Sequence, residues 1–378
     1  MIPCQRHVFE MPDDVAYFNC AYMSPKLKAV RAAGSEALTR TAEPWLITPE
    51  DFFTPTERAR ALFARLIHAR TEEVAIIPSA SYGISTAANN LRVERGQAIL
   101  MLEEEFPSNV YPWHALAKRD GAEIVMVRRP PDDDWTTAVL NSLNDRVAIA
   151  ALAHCHWADG GYVDLERISA ALQKIGARLV LDATQSLGVM PLDVTRIKID
   201  FLACAAYKWL LGPYSIGFLY AAEEHHRGEP IEHNWITREH SENFAGLVDY
   251  QDGYQPGARR FDMGERANFN LLPMATAALE QLLAWTPEAT AATLAGITDH
   301  IADQAAAFGV TAARKAYRAP HLLGLRFRDG APPGLVEQLR NDKIFVSVRG
   351  KTMRIAPHLF NHSSDVERLI DALRRHVG

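Results

Sequence analysis

Short and almost fully apolar runs recur between residues 74 and 221, and several are separated by segments long enough for a helix. The runs are EVAIIPSA, QAILMLEEEF, AEIVMVRRP, VAIAALAHCHW, ARLVLDATQS, DFLACAAY and IGFLYAAEE. Strands that are apolar on both faces and alternate with helices are typical of a mostly parallel sheet covered on both sides. The pattern therefore predicts a large α/β domain built on a mostly parallel seven-stranded sheet.

The pattern changes after the last of these runs. Residues 223–262 carry clustered charges and Gly/Pro punctuation, which favour an irregular excursion over another strand-helix repeat. The carboxyl third then shows three further strand-like runs and a final amphipathic helix. We expect a large domain over residues 15–262 and a smaller α+β domain over residues 263–378, joined by residues 1–14.

Bulk composition narrows the class of protein. With 48% hydrophobic and 23% charged residues, the chain is typical of a globular protein with a sizeable core. A formal charge of -6 removes the simplest electrostatic reason to expect nucleic acid or an anionic membrane as partner, so we expect a small-molecule partner. The four cysteines form no C-x-x-C pair, which argues against a zinc site. Without a secretory signal pattern, a cytoplasmic location is expected.

Four residues that can carry chemistry come at or just after the predicted strands: Ser81, Phe106, Asp182 and Lys208. Ligands of parallel α/β sheets bind beyond the carboxyl ends of the strands, so we expect these side chains to share one crevice. An acid such as Asp182 can keep a pyridine nitrogen protonated, and a lysine can condense with an aldehyde and act as a base. Alone, Asp182 is typical of a helix cap and Lys208 of a solvated surface, but Lys208 lies between two apolar runs.

Six motifs follow one another over nearly the whole chain. They are VAYFNCAYMSP, SASYGIS, EEEFPSNVYPW, DATQS, AYKWLLGP and MRIAPHLFN. In this order they resemble the class V family of fold-type I pyridoxal 5′-phosphate (PLP) enzymes, which includes cysteine desulfurases, kynureninases, isopenicillin N epimerase-like enzymes and several transaminases. The resemblance implies PLP as cofactor, an amino acid as substrate, and a homodimer whose site lies at the subunit interface.

The resemblance assigns roles around the cofactor ring. Asp182 is the partner of the pyridine nitrogen, Gln185 is the donor to the ring hydroxyl, and Lys208 forms the Schiff base. Phe106 takes the place of the residue that stacks on the ring, where many desulfurases have a histidine. Stacking survives this exchange, whereas an acid-base group is lost.

The cofactor phosphate is expected at the start of a helix. Ala80 and Ser81 lie where this helix is predicted to begin, and exposed N–H groups at a helix amino terminus favour an anion. Ser81 can also be a simple N-cap. Family members often carry further phosphate ligands just before the lysine, where this chain has Ala205 and Tyr207; the phenol of Tyr207 can still donate.

Arg354 stands where the family clamps the substrate α-carboxylate, with the bidentate geometry that a guanidinium supplies. Arg349 and Arg326 are alternative clamps. Asn19 and Tyr22 resemble residues on the substrate side of the cleft.

Three aromatic or imidazole side chains have open roles. Trp157 occupies a place where many relatives have a side-chain amide, and it is either a core aromatic or part of the substrate pocket. His154 and His156 are two residues apart in a strand-like run. A metal site is the weaker interpretation of this pair because no third ligand at diagnostic spacing accompanies it.

Two departures from the family restrict the chemistry. Desulfurases carry a nucleophilic cysteine on a loop before the carboxylate-binding arginine, whereas VSVRGKTMRIAP predicts a short turn without cysteine. In GERANFN, where many relatives have a Gly-Thr that reaches the neighbouring subunit's phosphate, Arg266 or Asn268 is the candidate replacement.

These residues leave several reactions open. The hypothesis ranked first is chemistry at the α-carbon of an amino acid, through a Lys208 aldimine and a quinonoid, by an aminotransferase or a β/γ-elimination (C–S) lyase. An epimerase or a kynureninase-like hydrolase comes next. A catalytically inactive PLP-fold binding protein is the alternative from another class, and the retained Lys208 and Arg354 argue against it.

Overall fold

The computed structural model describes residues 1–377. Its α-helices are α1 Lys28–Thr41, α2 Thr54–Leu66, α3 Ala80–Asn90, α4 Tyr111–Asp120, α5 Trp135–Ser142, α6 Leu165–Lys174, α7 Leu272–Trp285, α8 Pro287–Ala306, α9 Leu335–Asn341 and α10 Ser363–Val377. Its strands are β1 Ala16–Tyr17, β2 Val74–Ile77, β3 Ala98–Leu102, β4 Glu123–Val127, β5 Val147–Ala153, β6 Arg178–Asp182, β7 Phe201–Ala205, β8 Gly217–Ala221, β9 Leu323–Arg326, β10 Ile344–Phe345, β11 Ser347–Arg349 and β12 Thr352–Ile355.

A seven-stranded sheet forms the centre of the molecule, in the order β2-β8-β7-β6-β5-β3-β4. The neighbouring strands from β7 to β4 are parallel, whereas β8 runs antiparallel to both β2 and β7. All seven apolar runs form these strands, so the predicted mostly parallel seven-stranded sheet is confirmed. Of the two edge strands, β4 has solvent-exposed positions, whereas β2 is buried throughout.

Alternate side chains of the strands point to opposite faces of the sheet, and each face is covered by helices. In β2, Val74 and Ile76 pack in the same core as α2 and α6, whereas Ala75 and Ile77 pack with α3 and α4. Both faces are therefore dry, which explains why the strands are apolar runs rather than alternating ones.

The carboxyl third forms a smaller α+β layer. Its antiparallel sheet has the order β11-β12-β9, and α8 and α10 pack beside it around a separate hydrophobic cluster. The amino-terminal residues join this layer, since β1 pairs in parallel with β10 and the buried Arg6 guanidinium lies 3.1 Å from Asp365. Helix α7 instead packs against α1 and α2 in the main core. Residues 223–262 contain no α-helix or strand.

The carboxyl ends of the central strands meet at one edge of the sheet. Asp182, the last residue of β6, lies opposite Ala153 of β5 and Ala203 of β7. The segments that follow β2, β3, β5 and β7 all leave the sheet at this edge, so it is where a ligand is expected. Within residues 1–377, no helix is both long and apolar enough to cross a membrane.

Candidate active site

A cavity of about 390 Å³ lies at this edge of the central sheet. Eight residues predicted from the sequence line it: Ala80, Ser81, Phe106, Trp157, Asp182, Gln185, Tyr207 and Lys208. They come from five different chain segments, so only the folded sheet brings them together. We call this the inner cavity.

Lys208 is the side chain around which the inner cavity is built. It follows β7 and is only 5% exposed, and its Nζ lies 5.0 Å from the ring centroid of Phe106 and 5.5 Å from that of Tyr207. Burial lowers the pKa of the ammonium group to about 8, against the opposing effect of Asp182. At neutral pH an appreciable fraction of this lysine is therefore the free amine, the form that attacks a carbonyl and accepts a proton.

The turn after Lys208 is held in an unusual conformation. Leu211 is fully buried at a φ of +57°, a left-handed region that costs a non-glycine residue about 1 kcal/mol. The Gly212 N–H donates to the Ala206 carbonyl at 2.9 Å and closes the turn. Packing of the buried Leu211 thus fixes the backbone from which the Lys208 side chain extends.

Asp182 and Gln185 lie along the same wall. One carboxylate oxygen of Asp182 accepts a hydrogen bond from the Thr184 N–H at 3.0 Å, and burial raises the pKa of the carboxyl group. The Gln185 amide accepts from Trp209 Nε1 at 2.9 Å and donates to the Ala21 carbonyl at 3.0 Å, which fixes its orientation and leaves one amide N–H available. A buried acid and an oriented amide donor thus face the cavity.

The start of α3 forms the anion-binding end of the inner cavity. Ser79 is the N-cap, because its hydroxyl accepts from the Tyr82 N–H at 3.2 Å, so Ser81 lies in the first turn rather than at the cap. The Ser79 and Ser81 hydroxyls are 2.9 Å apart. The N–H groups of Ala80 and Ser81 are left without intrahelical partners and, with these hydroxyls, suit a phosphate.

A second and larger space of about 1160 Å³ opens beside the inner cavity. Four of the residues named above line both spaces and therefore lie at the boundary between them: Phe106, Trp157, Tyr207 and Lys208. We call the second space the outer cleft. Tyr22, which is 56% exposed, lines this cleft, and its contact with substrate stays a prediction.

Asn19 does not line either space. It pairs with Ala356, two residues after Arg354, and its side-chain oxygen is buried. The proposed contact of Asn19 with substrate is therefore not supported by its position.

Arg354 is a buried cation on the wall of the outer cleft, with an exposure of 1%. Its Nε donates to the Ser347 hydroxyl at 3.2 Å and its Nη1 to the Trp157 carbonyl at 2.9 Å. Among residues 1–377, its Nη2 has no hydrogen-bond partner and no carboxylate lies within 4.0 Å of the guanidinium. A desolvated charge without a counter-ion is costly, so the site is suited to an anionic ligand.

The segment that carries Arg354 is a tight hairpin. Strands β11 and β12 are joined by Gly350 and Lys351 alone, with Gly350 at a φ of +53° as such two-residue turns require. The predicted short turn is confirmed, and this hairpin has no cysteine. Cys155 does line the inner cavity, but it is buried and burial raises its pKa.

The guanidinium of Arg266 is engaged in hydrogen bonds within the chain. It is buried and donates to Asp262 at 2.6 Å and to Gln255 at 3.0 Å, and Asp262 in turn holds the buried Arg60. The side chain of Asn268 accepts from the Leu271 N–H at 2.9 Å before α7. The buried Arg266 does not offer a contact to a neighbouring subunit's phosphate.

His154 and His156 are both buried, and neither lines the inner cavity or the outer cleft. The ring of His156 stacks on Trp135 with a centroid separation of 5.2 Å. Burial lowers the pKa of His154 to about 4. Within residues 1–377, the single group of three potential metal ligands excludes both histidines and consists of Asp200, Glu224 and His225.

Several residues that line the site were not assigned a role from the sequence. Glu105 lines both spaces, its Oε1 accepts from the Phe106 N–H at 2.6 Å, and burial raises its pKa to about 7. Thr184 and Ser79 belong to motifs that the sequence singled out, DATQS and SASYGIS, but neither residue was assigned a role there. Ser215 lines the inner cavity from a loop with no recognisable pattern.

The helix end that suits a phosphate, the buried amine of Lys208 and the acid Asp182 lie together at the carboxyl edge of a mostly parallel sheet, and with the family match they define a PLP-dependent enzyme of fold type I. The chain belongs to the family described as Aminotransferase class-V, whose model matches residues 48–369. Enzymes of this family use PLP, and the donor set of the inner cavity fits this cofactor.

Individual relatives span most of the chain. An uncharacterized aminotransferase, YcbU of Bacillus subtilis (strain 168), is 28% identical over 331 residues, which cover 84% of this chain and 83% of the relative. Isopenicillin N epimerase of Streptomyces clavuligerus is 24% identical over 340 residues, covering 85% and 84%. The apo structure of a cysteine desulfurase from Thermococcus onnurineus NA1 matches with a TM-score of 0.86 at 21% identity, over 100% of this chain and 99% of that chain. The fold is therefore shared by proteins of different reactions.

Proposed function

We propose that this enzyme removes the α-proton of an amino acid, with Lys208 as the base, as the first chemical step of a transamination. The observation that carries the proposal is the position of Lys208, which lines both the inner cavity and the outer cleft. A base at this junction reaches a substrate in the cleft while the cofactor lies in the cavity.

The residues of the inner cavity would hold PLP in one orientation. Asp182 would face the pyridine nitrogen, Phe106 would cover the ring, and the start of α3 with Ser81 would bind the phosphate. When bound, PLP supplies an electron sink for the carbanion that forms when a proton leaves the α-carbon. The position of Asp182 supports this role, because its buried carboxyl group lines the cavity at the end of β6 and acts electrostatically on Lys208.

The residues of the outer cleft would orient the substrate. Arg354 would bind the α-carboxylate through two parallel N–H groups, which satisfies its buried charge. Trp157 is held by its own Nε1, which donates to the Glu104 carbonyl at 2.7 Å, and its backbone carbonyl binds Arg354. Trp157 thus belongs to the substrate wall, and the α-carbon would be presented to Lys208 beside its indole.

The proposed first step is common to transamination, elimination and epimerisation. Similarity to the uncharacterized aminotransferase YcbU over most of both chains supports transamination as the outcome. The hairpin without cysteine argues against persulfide formation by a loop thiol. The homodimer with a shared site remains a prediction of the family likeness.

The test is exchange of the substrate α-proton in deuterated water, followed by product analysis. Holoprotein is expected to exchange the α-proton of at least one amino acid, whereas Lys208→Ala is not. Release of the oxo acid with the amino group left on the cofactor would establish transamination; ammonia with pyruvate would instead establish elimination. Holoprotein that exchanges no amino acid's α-proton contradicts the proposal.

A further inference from the structure

The outer cleft has more positive charge than one α-carboxylate requires. Besides Lys208, five cations line it: Arg129, Arg326, Arg349, Lys351 and Arg354. The two acidic residues on its walls are Glu104 and Glu105. Which of the cations are already neutralised within the chain decides what else the cleft can bind.

Two of the cations are paired internally. Arg129 binds Glu104 at 2.8 Å and also pairs with Asp159. Arg326 lies 2.7 Å from Asp133 and 3.0 Å from Asp159. The sequence offered Arg326 as an alternative carboxylate clamp, but these two acids already satisfy it.

Arg349 is different. Its Nη1 donates to the Val348 carbonyl at 2.8 Å, and among residues 1–377 no carboxylate lies within 4.0 Å of its guanidinium. Lys351, in the hairpin turn, is exposed and likewise has no acidic partner in the described part of the chain. With Arg354, the hairpin therefore carries three cations without counter-ions.

The geometry of the hairpin aims Arg349 and Arg354 at the same space. Ser347 pairs with Arg354, and Arg349 pairs with Thr352, so the two arginines are diagonal neighbours on one face of the antiparallel pair. The Cζ atoms of Arg349 and Arg354 lie 5.8 Å and 5.9 Å from the Trp157 ring centroid. The two guanidinium carbons are thus within about 12 Å of each other.

We propose that Arg349 binds an anionic group at the end of the substrate side chain, so that the substrate is an acidic amino acid. This inference rests on the proposed function, in which Arg354 holds the α-carboxylate. One guanidinium would bind each end of the substrate, and the exposed Lys351 would add to the field at the mouth of the cleft. A neutral side chain would leave Arg349 without a counter-ion.

The test compares acids with their amides. Binding of L-aspartate, L-glutamate, L-asparagine and L-glutamine to the holoprotein is measured by the change in the cofactor spectrum. One acid is expected to bind at least about 10-fold more tightly than its amide, because a hydrogen-bonded charge pair typically contributes that much or more. Arg349→Gln should remove this preference by weakening the acid about 10- to 100-fold while leaving the amide unchanged.

Three further measurements separate the possible roles. Arg328→Gln is the matched control, because it removes one exposed positive charge of the small domain outside the cleft. Arg349→Lys keeps the charge and should keep most of the preference. Succinate has two carboxylates and no amino group, and it should raise the melting temperature of the wild-type holoprotein more than butyrate does. In Arg349→Gln, succinate and butyrate should raise the melting temperature by the same small amount.

Two results would overturn the inference. Amides that bind as tightly as acids to the wild-type protein would show that no side-chain anion is recognised. If Arg349→Gln weakened the binding of acids and amides equally, Arg349 would either bind the α-carboxylate or have a structural role. A failure of the proposed function looks different, since then no amino acid changes the spectrum and Arg354→Gln has no effect.

Discussion

Replacement of Arg354 by glutamine separates a substrate clamp from a structural arginine. The substitution removes a guanidinium that is 1% exposed and makes only two hydrogen bonds, to the Ser347 hydroxyl and the Trp157 carbonyl. Truncating one partner of a desolvated charge pair typically costs about 2–5 kcal/mol of binding. The apparent affinity for amino acids should therefore fall by about 30- to 4,000-fold.

The stability of the Arg354→Gln protein should change little. Two hydrogen bonds are lost, but an unpaired buried charge is removed as well, and these effects oppose each other. We expect the free energy of unfolding to stay within about 1 kcal/mol of the wild-type value. Spectral titration with amino acids and urea unfolding of the holoprotein measure the two quantities, with Arg328→Gln as control. A loss of several kcal/mol in stability with unchanged affinity would refute the proposed role of Arg354.

The remaining predictions concern pH and the core. Because the lowered pKa of Lys208 is about 8, the rate at which apoprotein captures PLP should rise with pH and level off above about pH 8. At pH 7 this rate should exceed that of a lysine with a pKa of 10.5 by about 300-fold, because more of Lys208 is the free amine. A capture rate that keeps rising to pH 10 contradicts this expectation. Asp262→Ala removes the carboxylate that lies between the buried guanidinium groups of Arg60 and Arg266, so Arg266 has no acidic partner left and Arg60 keeps only the partly exposed Glu57. The substitution should lower the free energy of unfolding by about 3–5 kcal/mol, whereas exposed Asp252→Ala should not. Equal stabilities in urea would show the cluster to be dispensable.

The central sheet could be predicted from sequence because its strands are buried on both faces. Apolar runs such as RLVLD, ending in Asp182, keep the same character whichever neighbours they have. Parallel strands also fix where their carboxyl ends meet, so the shared position of Asp182, Lys208 and Ser81 followed from topology. The hairpin before Arg354 was predictable because Gly350 suits a two-residue turn.

Side-chain pairing was not predictable in the same way. Whether Arg266 is free or buried depends on Asp262 and on Arg60, which lies about 200 residues away in sequence. Arg326 and Arg349 look equally available in the sequence, yet only Arg326 meets Asp159. Such pairs depend on which residues meet in the folded chain, and the hydrophobic pattern of the sequence does not predict this.

The most direct test of the account is to find which lysine bears the cofactor. Borohydride fixes the carbon–nitrogen bond between PLP and a lysine, and peptide mass spectrometry then identifies the residue. Lys26 is the internal comparison, since burial also lowers its pKa to about 8, but its Nζ donates to the Gly212 carbonyl and it does not line the inner cavity. The account predicts the label on Lys208 alone and no label in Lys208→Ala. A label on Lys26 or any other lysine of the wild-type protein would contradict it.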